Sequence, residues 1–158
     1  MSNGRGALRL VAVLALLATL AAAAVVAQEQ SQDNAHGENA EDETSLDFAQ
    51  VENVVVTVAS EGTYRFSVTV RHRDEGWEHY ADVWEVYDPE SGAVHGTREL
   101  LHPHDTEQPF ARSLSGVRLP DHLRVVAVRA ACNVHGFGGR EVIIDLDTDD
   151  GTGYEVRR

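Results

Sequence analysis

Short runs of alternating apolar and polar residues, separated by turn signals, fill the middle of the chain. The pattern is clearest in residues 64–71, where Tyr64, Phe66, Val68 and Val70 fall on one face of an extended strand. Similar runs predict seven strands, and no part of this region has the period of an amphipathic helix. The predicted strands are 54–58, 64–71, 80–87, 93–101, 110–117, 123–132 and 140–146. This arrangement predicts an all-β fold, an immunoglobulin-like antiparallel β-sandwich.

The segments on either side of the strands differ from them in composition. Residues 1–27 combine two arginines with a long apolar run that ends in small residues, which is the pattern of a signal peptide. Residues 28–47 are acidic and nearly without apolar side chains, so they are predicted to form a disordered tether. The sandwich is predicted over 48–146, and an acidic C-terminal tail over 147–158. A cleaved signal predicts a periplasmic or secreted protein, in contact with a membrane only if the signal stays uncleaved.

The charge balance of the chain narrows the range of partners. All 13 basic residues are arginines, and they face 26 acidic residues. The signal peptide holds two of the arginines and no acidic residue, so its cleavage would leave a net charge of −15. A surface of this sign repels nucleic acid and anionic lipid, and both are therefore excluded as partners.

Most histidines of the chain cluster at one end of the predicted sandwich. If consecutive strands run up and down, the connections 72–79, 102–109 and 133–139 lie at the same end. Five of the eight histidines fall in these connections, namely His72, His79, His102, His104 and His135. Single histidines on loops are more often structural than functional, but five at one end favour a metal site.

The single cysteine, Cys132, belongs to the same end and cannot form an internal disulfide. Strand phase places both His72 and Cys132 at the rim of the core, because each continues the inward row of its strand. A turn through the glycines of 136–139 would bring Cys132 beside His135. A thiolate together with imidazoles suits iron, copper or zinc.

Two alternative interpretations of the same cluster remain open. His102 and His104 flank a proline and would point to one side of an extended segment, so histidines alone could hold Cu(II) or Zn(II). Alternatively, the protein is a metal-free periplasmic binding or interaction module, in which the histidines cap strands and Cys132 is an inert buried thiol.

The segment Cys132-Asn133-Val134-His135-Gly136 resembles the cysteine–histidine iron-ligand motif of superoxide reductases, the desulfoferrodoxin and neelaredoxin family. Upstream, His72 followed by His79-Tyr80 and Trp84 is similar to the ligand histidine pair of that family. The resemblance covers about residues 64–139. It implies an immunoglobulin-like sandwich in which four histidines and an axial cysteine thiolate hold a catalytic non-haem iron.

Carried over to this chain, the resemblance makes Cys132 the axial thiolate, and His72, His79 and His135 three equatorial ligands. The activity it implies is that of an oxidoreductase, with a small oxidant and an electron donor as partners. The chain departs from the family pattern at several points. Arg73 follows His72 where the family has a proline, and the His–His and His–Trp spacings are each about one residue longer. His36 is the one candidate for the family's first histidine, and the chain has no lysine to match the one near the iron.

Overall fold

The structure is a computed structural model that describes residues 46–60 and 62–158. The predicted signal peptide, His36 and all of the predicted tether except residues 46 and 47 lie outside the described residues. Every regular element within the described ranges is a β-strand, and these ranges contain no helix long and apolar enough to cross a membrane. The strands are β1 (Gln50–Ser60), β2 (Thr63–Arg71), β3 (Ala81–Tyr87), β4 (Val94–Glu99), β5 (Phe110–Arg118), β6 (Val125–Cys132), β7 (Gly136–Phe137), β8 (Val142–Asp145), β9 (Asp150–Gly151) and β10 (Tyr154–Arg157).

The strands form two sheets that enclose one apolar core. The first sheet has the order β5-β2-β1-β10-β9, and the second has the order β4-β3-β6-β7 with β8 also paired to β6. All pairs are antiparallel except that of β1 with β10. The predicted all-β, immunoglobulin-like sandwich is confirmed, with short additional strands at its edges.

The alternation read from the sequence defines the inner faces of both sheets. In β2, Phe66, Val68 and Val70 have no exposed surface, while Ser67 and Thr69, which alternate with them, are partly accessible. In β6, Val126 and Val128 are likewise fully buried, and Trp84 of β3 packs with them in the same core. Each inward row ends at the same end of the sandwich, and that end carries the candidate site.

The C-terminal residues 147–158 differ from the prediction. They contain β9 and β10, and β10 pairs in parallel with β1, so that Val156 lies opposite Val56. Val156 is 4% exposed and belongs to the core. The predicted boundary at residue 146 is therefore corrected, and the sandwich continues to Arg157. The four residues of β10 are too few to show a clear alternation beside the acidic turn that precedes them.

Replacing Val156 by alanine should lower the free energy of unfolding by about 1–3 kcal/mol, because it removes buried methyl groups and leaves a cavity. Ile143→Ala is the matched control, since Ile143 is 52% exposed and its loss should cost about 0.5 kcal/mol or less. Urea unfolding of both variants measures the difference. Equal losses for the two variants would show that β10 is not part of the core.

Candidate metal centre

Three connections contact one another at one end of the sandwich, as the strand alternation predicts. The connection from β2 to β3 meets the one from β6 to β7 where the His79 and His135 rings lie 4.9 Å apart. It meets the connection from β4 to β5 where the main-chain amide of His104 donates to Asp74 Oδ2 at 2.6 Å. The Asn133 side chain accepts a hydrogen bond from the Tyr80 amide at 2.9 Å and so joins the first two connections again.

One ligand atom from each of His72, His79 and Cys132 forms a compact group at this end. The three atoms all lie within 4.8 Å of one another. His72 is 1% exposed and Cys132 is 2% exposed, as expected for residues that continue the inward rows of β2 and β6. The His79 side chain is 12% exposed, so solvent reaches the group from its side. Two imidazoles and a thiol at this separation are a donor set that suits a transition-metal ion.

His135 lies at the edge of this group, next to the sulfur. Its main-chain amide donates to Cys132 Sγ at 3.2 Å, and its Nδ1 lies 3.5 Å from the same sulfur. The turn that makes these contacts ends at Gly136, whose φ of 68° lies in the left-handed region that glycine enters without strain. The predicted turn between Cys132 and His135 therefore exists, and it points the His135 ring toward His79.

His79 contains a buried polar atom without a partner. Its Nε2 has no hydrogen bond within the described part of the chain, whereas its Nδ1 lies 3.4 Å from Glu75 Oε2. A buried nitrogen without a partner costs free energy, and native proteins seldom keep one. A bound cation would satisfy this atom. Both ring nitrogens of His104, outside the group, also have no hydrogen-bond partner within the described residues, so the fit to a metal ion rests first on the donor set and its distances.

Asp74 is a residue of this end that the sequence analysis missed. Its side chain is fully buried, and Oδ1 lies 2.6 Å from His72 Nδ1. The same carboxylate accepts hydrogen bonds from the amides of Ala81 and His104. Burial would raise the pKa of Asp74, but the hydrogen bonds from His72 and the two amides outweigh it and hold the pKa below its usual value. The only sequence signal was its place two residues after His72.

Residues 46–49, here called the strap, were also missed, because residues 46 and 47 were assigned to the tether. The main-chain oxygen of Asp47 lies 2.9 Å from His135 Nδ1, 3.3 Å from His72 Nε2 and 3.4 Å from Cys132 Sγ. Arg73 holds the strap by pairing with the Asp47 carboxylate and by donating its amide to the Leu46 carbonyl. A main-chain oxygen of the strap, which could bind a metal ion, therefore lies among the candidate ligands.

The glycines after His135 allow the strap to approach. A Cβ atom at Gly139 would lie 2.0 Å from the Ala49 main-chain oxygen, and one at Gly138 would lie 2.5 Å from the Phe48 ring. Phe48 in turn contacts the His135 ring at 5.5 Å between centroids. These two glycines are required for close approach of the main chain, whereas Gly136 makes the turn.

His102 and His104 lie outside the three-residue group. His104 is 3% exposed and stacks on Phe110 with 3.8 Å between ring centroids. His102 is exposed, and its Nδ1 donates to the Pro103 carbonyl at 3.1 Å. Within residues 46–60 and 62–158, the groups of potential ligands that could share an ion contain neither of them. The geometry therefore favours the histidine–cysteine form of the predicted site over the form made of histidines alone.

Fold and geometry together define a class of protein: a β-sandwich that carries a histidine–cysteine group at one end of its core. No protein-family model matches the sequence. A protein of Halomicrobium mukohataei described as "Putative lipoprotein" is 40% identical over 111 residues, which cover 68% of this chain and 54% of that protein. The chain thus spans about half the length of this relative. Among solved structures, a superoxide reductase (neelaredoxin) from Archaeoglobus fulgidus in the reduced form is similar with a TM-score of 0.42 and 17% identity, over 66% of this chain and 93% of that chain.

Replacing Gly139 by alanine should displace the strap and lower the free energy of unfolding by about 1–3 kcal/mol, because the new methyl group meets the Ala49 carbonyl. The His135 ring should then lose its contact with the Asp47 carbonyl, which shifts its NMR signals. Gly92→Ala is the control, since nothing lies within 4 Å of its added Cβ. Gly92, unlike Gly139, has a positive φ, so this variant should lose some stability through backbone strain but should leave the His135 signals unchanged. Unchanged His135 signals in Gly139→Ala would contradict this role of the strap.

His104 should make the protein less stable in acid. Burial lowers the pKa of His104 from 6.5, and the nearby Arg112 and His102 lower it further, against the opposing effect of Asp74 and Glu107. Because the pKa of His104 is lower in the folded chain, the unfolded chain binds a proton at this residue more readily. The contribution of neutral His104 to the free energy of unfolding is therefore full above about pH 6.5, and it is lost as the pH falls through the lowered pKa.

His104→Phe should remove this dependence while keeping a ring against Phe110. The free energy of unfolding of the variant, relative to that of the parent, should therefore be higher at about pH 5 than at about pH 7.5. Urea unfolding at both pH values measures this difference. A stability difference that does not change with pH would contradict the lowered pKa.

Proposed function

We propose that this chain is an exported β-sandwich protein that binds one transition-metal ion through His72, His79 and Cys132. His135 and the Asp47 main-chain oxygen are further potential ligands of this ion. Iron is the proposed ion, in a non-haem centre similar to that of superoxide reductases, with copper or zinc as the alternatives. The observation that carries the proposal is the separation of at most 4.8 Å among one ligand atom from each of the first three residues.

The sequence motif and the geometry support this proposal independently. The spacing of Cys132 and His135, followed by glycine, resembles the iron-ligand motif of superoxide reductases. The fold places His72 and His79, 60 and 53 positions before Cys132, beside the same sulfur. Within the part of the chain that the structure describes, a purely structural role for these residues would leave the buried His79 Nε2 without a partner.

The surroundings of the three residues suit redox chemistry with a small molecule. Iron held by a thiolate and imidazoles supplies one-electron chemistry toward an oxidant such as superoxide, and an electron donor restores it. The protein buries His72 and Cys132, which keeps water from the inner side of the site. His79 and His135 lie on the accessible side, so a small oxidant would approach the site from the side of these two residues.

The charge of the chain bears on the choice of partner. With a net charge of −13 for the whole sequence, the protein repels anions at long range and attracts cationic surfaces. We therefore expect slow encounter with superoxide, and an electron donor that presents a basic surface. The 40% identical relative described as "Putative lipoprotein" supports a location in the cell envelope, in agreement with the predicted signal peptide at residues 1–27.

The test is metal binding by protein purified without a histidine tag. Anaerobic titration with Fe(II), and with Co(II) as a spectroscopic substitute, should reach one ion per chain. The Co(II) form should show a near-ultraviolet sulfur-to-metal charge-transfer band, because a thiolate is among the ligands. Cys132→Ala should fold, since it replaces a small buried side chain by another, and should lose this band.

Matched histidine variants separate a site from weak binding at the surface. His79→Ala should lower Co(II) affinity about 10-fold or more, because a direct ligand is lost. His122→Ala, which removes an exposed histidine beyond the opposite end of β6 from Cys132, should leave the affinity unchanged. Equal affinities for the parent, Cys132→Ala and His79→Ala would contradict the proposal and favour the metal-free interaction module.

A further inference from the structure

A buried carboxylate lies directly behind the candidate metal ligands, on the side away from solvent. We propose that Asp74 is a positioning residue that keeps the proton of His72 on Nδ1 and directs Nε2 into the site. This inference rests on the proposed function, because it concerns how the chain presents a ligand. It assigns to Asp74 a role that no motif in the sequence indicates.

The hydrogen bonds of Asp74 determine which atom of His72 carries the proton. The amide of Ala81 donates to Oδ1 at 3.1 Å, and the amide of His104 donates to Oδ2 at 2.6 Å. An amide N–H can only donate, so both oxygens act as acceptors. His72 Nδ1 lies 2.6 Å from Oδ1 and must therefore donate as well. The neutral ring then has its lone pair on Nε2, the form that can bind a metal ion.

The contact of His72 Nε2 is longer and does not change this assignment. A carbonyl oxygen can only accept, so the 3.3 Å contact with Asp47 would by itself suit a proton on Nε2, but the 2.6 Å contact of Nδ1 with the Asp74 carboxylate is much shorter and decides the tautomer. Nε2 lies 3.3 Å from the Asp47 main-chain oxygen, which is also 3.4 Å from Cys132 Sγ. The ring therefore has its Nδ1 side against Asp74 and its Nε2 side toward the thiol and the strap. Both side chains of the His72–Asp74 pair have no exposed surface, so water cannot take the place of either partner.

The same carboxylate joins two of the three connections that form the site. Its own main chain belongs to the connection from β2 to β3, and its bond to the His104 amide fixes the connection from β4 to β5. A change at Asp74 would therefore loosen loops as well as release His72. The test needs a control that loosens a loop without touching His72.

Asn133 provides this control. Its side chain accepts from the Tyr80 amide at 2.9 Å and donates to the Trp77 and Glu78 carbonyls at 3.3 Å each. Asn133→Ala therefore loosens the segment that carries His79 and leaves the bond between His72 and Asp74 in place. Asp74→Asn keeps the size of the side chain but replaces one acceptor oxygen by a donor NH₂ group.

The first measurement needs no bound ion. In the metal-free protein at a pH where its imidazoles are neutral, ¹⁵N NMR distinguishes the two tautomers of each histidine. His72→Gln identifies the His72 signals by their loss. We expect His72 as the Nδ1–H tautomer in the parent and in Asn133→Ala. In Asp74→Asn, the donor NH₂ group should favour the Nε2–H tautomer.

The second measurement is the affinity for Zn(II) and Co(II) added alone. Asp74→Asn should weaken binding by about 10–100-fold, the range found for partners that hold a ligand histidine. Asn133→Ala loosens the segment of His79, so any loss of affinity in this variant should come without a change in the His72 tautomer. Thermal unfolding of both metal-free variants shows whether the loss of stability is similar.

The two measurements separate failure of this inference from failure of the proposed function. His72 as the Nε2–H tautomer in the parent overturns the inference, and so does an Asp74→Asn variant that binds both ions as tightly as the parent. A parent that binds neither ion contradicts the proposed function instead, and the tautomer of His72 then still decides whether Asp74 positions it.

Discussion

The candidate site depends on the packing of the two sheets against each other. His72 follows β2 of the first sheet, and Cys132 ends β6 of the second, so the two residues reach the site from opposite sides of the core. Each continues a row of buried residues, and the distance between the rows is set by side chains such as Phe66 and Trp84. Packed sheets lie about 10 Å apart, which lets two inward side chains at the open end meet. A change in sheet packing would therefore change the site directly.

Two groups that accept hydrogen bonds hold the candidate ligands in position. The Asp74 carboxylate lies behind His72, and the Asp47 carbonyl lies among His72, Cys132 and His135. Buried polar groups that are fully paired are rigid, because each lost hydrogen bond leaves an uncompensated polar atom. The nitrogen and sulfur donors are thus held in place by the protein's own hydrogen bonds. His79 is the exception, since its buried Nε2 has no hydrogen-bond partner among residues 46–60 and 62–158.

The sequence predicted the features that follow from local periodicity. Alternation in residues 64–71 and 123–132 was enough to place His72 and Cys132 inward, and up-and-down connectivity was enough to bring their loops together. The strap and Asp74 were missed for a physical reason. Asp47 acts through its main-chain oxygen, which every residue has, and Asp74 acts through contacts with residues up to 30 positions away. β10 was missed because a four-residue strand in parallel with β1 leaves almost no local pattern.

The central claim, that imidazole and thiolate from the two sheets share one ion, is tested most directly by X-ray absorption at the zinc edge. Zinc is a redox-silent substitute whose bond lengths identify its ligands. The zinc-loaded parent should show one sulfur at about 2.3 Å and at least two nitrogens at about 2.0–2.1 Å. The sulfur shell should vanish in Cys132→Ala, while nitrogen remains. A parent spectrum with nitrogen and oxygen neighbours alone would contradict the account, because Cys132 would then be an ordinary core residue.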